Sequence, residues 1–172
     1  GLGWNYAWLD ALGENPALDA QGIGVAIADA YMEACLDENP DDYLSMSVLY
    51  LPAMEYLVST METYAAYLSQ ALDAGQLSTF SRARQRMYAF GDFNDATSDM
   101  VDMMALIDGT RTIAPQTADV LQTAYERVVR YNVGTRKFDY LTGMSVYFPS
   151  GSYDGDGCQE TIPNMTEFTR GY

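Results

Sequence analysis

Across most of the chain, apolar side chains recur every third or fourth residue, the spacing that gathers one face of a helix. The pattern predicts a helix over 4–12, with Trp4, Ala7, Trp8, Ala11 and Leu12 on one side, halted by residues 13–16. Asp19 then stands as the N-cap of a second helix running to about Leu36, because its carboxylate can accept from the open first turn. Ile23, Ile27, Ala30, Tyr31 and Ala34 form its stripe, and Gly22 and Gly24 predict close packing on a neighbour. Residues 37–42 form an acidic loop. The clearest helix spans 53–74, with Met54, Leu57, Val58, Met61, Ala65, Leu68 and Leu72 inward and Gly75 at its C-terminal cap. A further helix is capped by Ser78 or Thr79 and turns Phe80, Ala83, Met87 and Phe90 inward. Over 95–108, Met100, Met103, Met104 and Ile107 face in, Asp95, Asp99 and Asp102 face out, and Gly109 ends the helix. Pro115 sits in the first turn of the last helix, whose stripe is Val120, Leu121, Ala124 and Val128.

Two stretches break this period. Residues 143–149 read Gly-Met-Ser-Val-Tyr-Phe-Pro, a strand opened by Gly143 and closed by Pro149. Residues 43–51 alternate at first and then turn apolar on both parities, which suits a strand buried on one face and then on two. The two are expected to share a sheet. Residues 128–133 suit either the end of a helix or a short strand hairpinning onto 143–149. The fold class read from the pattern is α/β, helix-rich, with few strands.

Composition narrows the function. At 172 residues the chain is one domain or one large piece of a bigger one, and 48% hydrophobic content supplies a core. A formal charge of −15 repels phosphate backbones and anionic lipid surfaces, so nucleic acid and such membranes are poor partners. No apolar run reaches membrane-spanning length, and the first residues do not read as a signal peptide. Histidine is absent, which removes any Ser/His or Cys/His couple made by this chain alone. Cys35 and Cys158 are too few for a zinc site; one disulfide between them is open, but the preferred reading is a buried apolar Cys35 and a loop thiol at Cys158. Residues 154–157, Asp-Gly-Asp-Gly, with Glu160 outline a calcium loop that lacks a third oxygen ligand, so no cofactor is assigned and calcium stays the one metal alternative. Gly22-Ile23-Gly24 lies in a helix rather than after a strand and is no dinucleotide fingerprint. Arg82, Arg84 and Arg86 are read as a solvated face, with an acidic-ligand patch as the alternative.

Four segments in order resemble the clostripain-like cysteine peptidases. They are Gly1-Leu2-Gly3-Trp4-Asn5-Tyr6, the helix beginning near Asp19, Leu44-Ser45-Met46-Ser47-Val48, and residues 142–149. The family has a Gly-x-Gly-Trp segment after its catalytic cysteine, a strand of the T-L-S-V-I-D-L kind, several helices, and a late G-L-S-I-Y-F-P strand. Residues 88–93 followed by Asp99, Met100, Val101 and Asp102 resemble the family's tyrosine-rich segment before a V-D-L helix. The resemblance covers essentially the whole chain. It implies a caspase-like α/β/α sandwich, of which 1–52 ends the catalytic core and 53–172 forms a helical C-terminal subdomain. It implies endopeptidase action by a His/Cys dyad in which imidazole activates the thiolate. Both dyad residues lie upstream of Gly1 in the family pattern, so no catalytic residue falls here.

The resemblance therefore implies that this chain is inactive alone and partners the N-terminal catalytic portion of the same protein. It places substrate binding at Gly1, Leu2, Gly3 and Trp4. In relatives specific for Arg or Lys, an Asp between the two glycines meets the basic side chain. Leu2 cannot pair with a cation, which predicts cleavage after an apolar or uncharged residue. The family is commonly exported in bacteria, so a secreted or cell-envelope location is expected. The rival reading is a non-catalytic, acidic helical module whose surface, with 14 tyrosines in the chain, meets protein or glycan partners.

Overall fold

The central contact is between two helices, and alanine makes it close. A computed structural model describes residues 6–41, 43–87, 89–90 and 100–148. Within them run α1 (Trp8–Glu14), α2 (Ala20–Glu38), β1 (Ser45–Leu49), a 3-10 turn (Leu51–Ala53), α3 (Met54–Asp73), α4 (Leu77–Arg84), β2 (Ala89–Phe90), β3 (Met100–Asp102), α5 (Met103–Thr110), α6 (Pro115–Val128), β4 (Val129–Gly134) and β5 (Ser145–Tyr147). The class is α/β and helix-rich, with two small antiparallel sheets. No helix among the described residues is long and apolar enough to cross a membrane.

The inward face of α6 is Ala118, Leu121, Ala124, Tyr125 and Val128. It packs on Leu57, Tyr64, Leu68 and Ala71 of α3, with Phe80, Met103 and Ile107 completing the cluster. Val120, expected in the stripe, is exposed. The α3 stripe also departs from expectation. Thr60 and Tyr64 are buried, whereas Val58 and Leu72 are exposed and Ala65 faces out. Hydroxyls are tolerated inside because each finds a partner. Thr60 donates to the Tyr56 carbonyl at 2.7 Å. Thr110 donates to the Leu106 carbonyl at 2.7 Å, so its one proton is committed. The Tyr64 hydroxyl, 2.6 Å from Thr110 Oγ1, is therefore the donor in that pair.

Burial pushes the Tyr64 hydroxyl above its ordinary pKa of 10.0. Burial does the same at Tyr125. A raised native pKa means that the unfolded chain loses these protons first. Their contribution is intact below pH 10 or so and is lost as pH climbs further. The urea midpoint should hold to about pH 10 and then fall, and Y64F/Y125F should flatten that fall. An equally steep fall in the double variant would show that other groups control it.

Three helix ends fall where the sequence puts them, but α4 starts at Leu77 without the expected Ser78 or Thr79 cap, and α5 runs through Gly109 to Thr110. Asp19 accepts from the Gly22 N–H at 2.8 Å, Pro115 opens α6, and Gly75 closes the α3 turn at φ +85°. The buried line of α2 is Ala28, Met32 and Cys35, rotated from the expected stripe, whose members are half-buried. Close packing at Gly24 holds: a Cβ there would stand 2.9 Å from Val48 Cγ1.

The sheets correct the expected pairing. β1 pairs with β4, in register Ser45–Gly134, Met46–Val133, Ser47–Asn132 and Val48–Tyr131. Residues 129–134 are thus a strand, but they join β1 rather than β5. In the other sheet β3 is central, flanked by β2 and β5, with Val101 opposite Val146. The two strands expected to share a sheet belong to different ones. They touch through side chains instead. Ser47 Oγ lies 2.9 Å from the Gly143 carbonyl and 3.0 Å from Asn132 Oδ1, and Asn132 Nδ2 donates to the Leu141 carbonyl at 2.6 Å. Alternation identifies a strand and says nothing about its partner.

Candidate functional site

One carboxylate stands where the second sheet, α5 and the approach to β5 meet. The helix expected over 95–108 begins only at Met103, and Asp102 ends β3. Expected on the outside, Asp102 is instead 4% exposed. Its extended backbone makes it the N-cap of α5. Oδ1 accepts from the Met104 N–H at 3.0 Å and the Ala105 N–H at 3.2 Å. Oδ2 accepts from the Thr142 N–H at 2.8 Å. The Thr142 hydroxyl lies 2.9 and 3.0 Å from the two oxygens.

Behind Thr142 stands Tyr125, its oxygen 2.8 Å from Thr142 Oγ1. Thr142 gives its proton to the carboxylate, so Tyr125 is the donor to Thr142. Burial is the main reason the Tyr125 hydroxyl is held above its ordinary range, and the Asp102 charge adds to it. The relay Tyr125–Thr142–Asp102 thus crosses from α6 to the start of α5.

Two clefts flank it. One, about 320 Å³, is lined by Arg86, Met87, Asp102, Met104, Ala105, Asp108, Tyr140 and Thr142. The other, about 230 Å³, is lined by Ser45, Asp102, Leu141, Gly143, Met144 and Ser145. Asp102 is saturated with donors and Asp108 is engaged by Arg111 at 2.9 Å, so neither offers a free base. The arrangement holds chain segments in place; its chemistry is anchorage. Among the described residues, no group of three His, Cys, Asp or Glu side chains could hold a metal ion.

The substrate-binding residues expected from sequence, Gly1, Leu2, Gly3 and Trp4, lie outside the described residues. So do residues 154–157, Glu160, Cys158 and Pro149. Cys35 is buried on α2 and unpaired among the described residues. The arginine triplet divides. Arg82 and Arg86 are exposed, but Arg84 is 8% exposed and donates from Nε to the Phe148 carbonyl at 2.6 Å. Positions two apart on a helix face opposite ways, so three arginines at this spacing cannot all share a face. Sequence reasoning misses Asp102 because the helical period runs through it. The available signal is an Asp directly before the apolar run Met103–Leu106, a helix-start signature.

Comparison of the chain with known protein families, with curated proteins and with solved structures finds no match.

Proposed function

We propose that this chain is the C-terminal portion of a clostripain-like cysteine endopeptidase. In this reading residues 1–52 complete the catalytic sheet and one wall of the substrate pocket, and 53–172 form the helical subdomain behind it. The chain is inactive alone, because the His/Cys dyad belongs to the partner portion.

The observation that carries the reading is the asymmetry of the β1–β4 ladder. A two-stranded ladder is marginal by itself and is stabilised by further strands. β4 carries the irregularity of the pair. Its register steps from Val48–Tyr131 to Leu49–Val129, which leaves Arg130 as a bulged residue that interrupts the ladder. The sequence of β1 is Ser-Met-Ser-Val-Leu, without charge, proline or bulge, and its outer edge has no strand beside it among the described residues. An unguarded edge suits continuation by strands of a catalytic half. β1 and β5 also lie in two of the segments that carry the family resemblance.

The test is to produce the chain together with the segment encoded upstream and to assay fluorogenic peptides with Leu, Tyr, Arg or Lys before the scissile bond. Cleavage after Leu or Tyr is expected. Cleavage confined to Arg or Lys would refute the role given to Leu2. No cleavage at all, with an upstream His and Cys intact, would sink the peptidase reading in favour of a binding module.

A further inference from the structure

Two arginines lie over tyrosine rings on either side of the 3-10 turn. The Arg127 guanidinium sits 5.4 Å from the Tyr56 ring centroid, and Arg130 sits 4.9 Å from that of Tyr50. The turn between the two tyrosines is held to the end of α6 by the Tyr50 N–H, which donates to the Val128 carbonyl at 2.7 Å. The two tyrosines thus bracket a turn fixed to the end of α6, and Leu51 within that turn is 68% exposed.

A cation–π contact restrains a guanidinium without using up its N–H donors. Among the described residues, neither arginine has an ion pair or hydrogen-bonded acceptor for its side chain. Glu126, the nearest acid in sequence, instead accepts from Gln122 Nε2 at 2.8 Å. Glu55, beside Tyr56, forms no ion pair with them. In a chain of charge −15, two arginines without an acidic partner beside an exposed leucine offer a carboxylate donors that the chain itself leaves unused, while Glu55 and Glu126 keep their own charge nearby. At physiological salt, fields decay over about 8 Å, so a short ligand responds to the groups it touches. A long polyanion meets the rest of the acidic surface as well.

We propose that this surface docks an acidic protein segment, with carboxylates on Arg127 and Arg130 and an apolar side chain on Leu51. The proposal stands independently of the peptidase reading. Arginine forks match carboxylates in bidentate geometry, and two such pairs give register as well as affinity.

The experiment is fluorescence anisotropy with a short labelled peptide in which Asp and Glu flank Leu, its Asn/Gln counterpart, and a single-stranded DNA of similar charge. The proteins are wild type, R127Q/R130Q, and R82Q/R136Q, which removes the same charge at two other exposed sites. The acidic peptide should bind at least about tenfold tighter than its amide counterpart, more weakly at high salt. R127Q/R130Q should lose about tenfold or more, and R82Q/R136Q should stay within about twofold. Equal binding of the two peptides, equal loss in both double variants, tighter binding of DNA, or no binding would each overturn the proposal.

Discussion

Asp102→Ala lowers the unfolding free energy by about 3–5 kcal/mol, one of the two largest effects expected of any single substitution here. The carboxylate receives the Met104, Ala105 and Thr142 backbone N–H groups and the Thr142 hydroxyl. Loss of an N-cap alone costs about 1 kcal/mol. Each partly buried donor left without an acceptor adds about 1–3 kcal/mol, reduced where water reaches it through the flanking clefts. Relief from burying a charge offsets some of this. Asp102→Asn separates the contributions. It keeps one acceptor oxygen for the helix end but turns an NH₂ toward a donor of Thr142, so about half of the loss is expected. Urea denaturation of the three proteins decides the matter. A cost below about 1 kcal/mol for the alanine variant would show that the clamp is not what fixes α5 and β5 together.

The same residue shows what pattern can and cannot convey. Helix existence is legible, and so are the ends marked by local chemistry, namely Asp19, Gly75 and Pro115. These signals act within one turn. The phase of a stripe is less legible. In α2, Ile23, Val25 and Ile27 are all half-buried, so apolar residues surround much of the helix and define no single face. In α3, Thr60 and Tyr64 are inside because Tyr56 and Thr110 satisfy them, and Thr110 lies 46 residues from Tyr64. Partner choice among strands is illegible for the same reason. β5 joins β3 because Asp102 holds Thr142 and the Met103 N–H reaches the Met144 carbonyl at 3.0 Å. Both contacts span 40 or so positions, beyond any periodicity. The anchor at Asp102 can be read as a helix start; its link to Tyr125 through Thr142 cannot.

Gly143→Ala is expected to cost about 2–4 kcal/mol, and Gly75→Ala about 1–2 kcal/mol, although both glycines have positive φ. Gly75, at φ +85°, has nothing within 4 Å of the position a Cβ would take, so only the backbone conformation is penalised. Gly143, at φ +118°, adds crowding: a Cβ would stand 3.0 Å from both Ser47 Oγ and Val129 Cγ1. Those atoms belong to β1 and β4, so the methyl would push apart the two sheets that the Ser47 contact to the Gly143 carbonyl draws together. Val129→Ala provides the control. It weakens the core where Val129 packs, yet it clears one of the two obstructing atoms. The double variant should therefore be more stable than the sum of the single losses predicts, by about 0.5–1 kcal/mol. Chemical denaturation of the four proteins measures this coupling. Equal costs for Gly143→Ala and Gly75→Ala, with additive behaviour at Val129, would show that backbone conformation alone requires glycine at 143. A positive coupling would place the requirement in the close approach of the two sheets, where the turn at Gly143 directs the following strand to β3 and leaves β1 to β4.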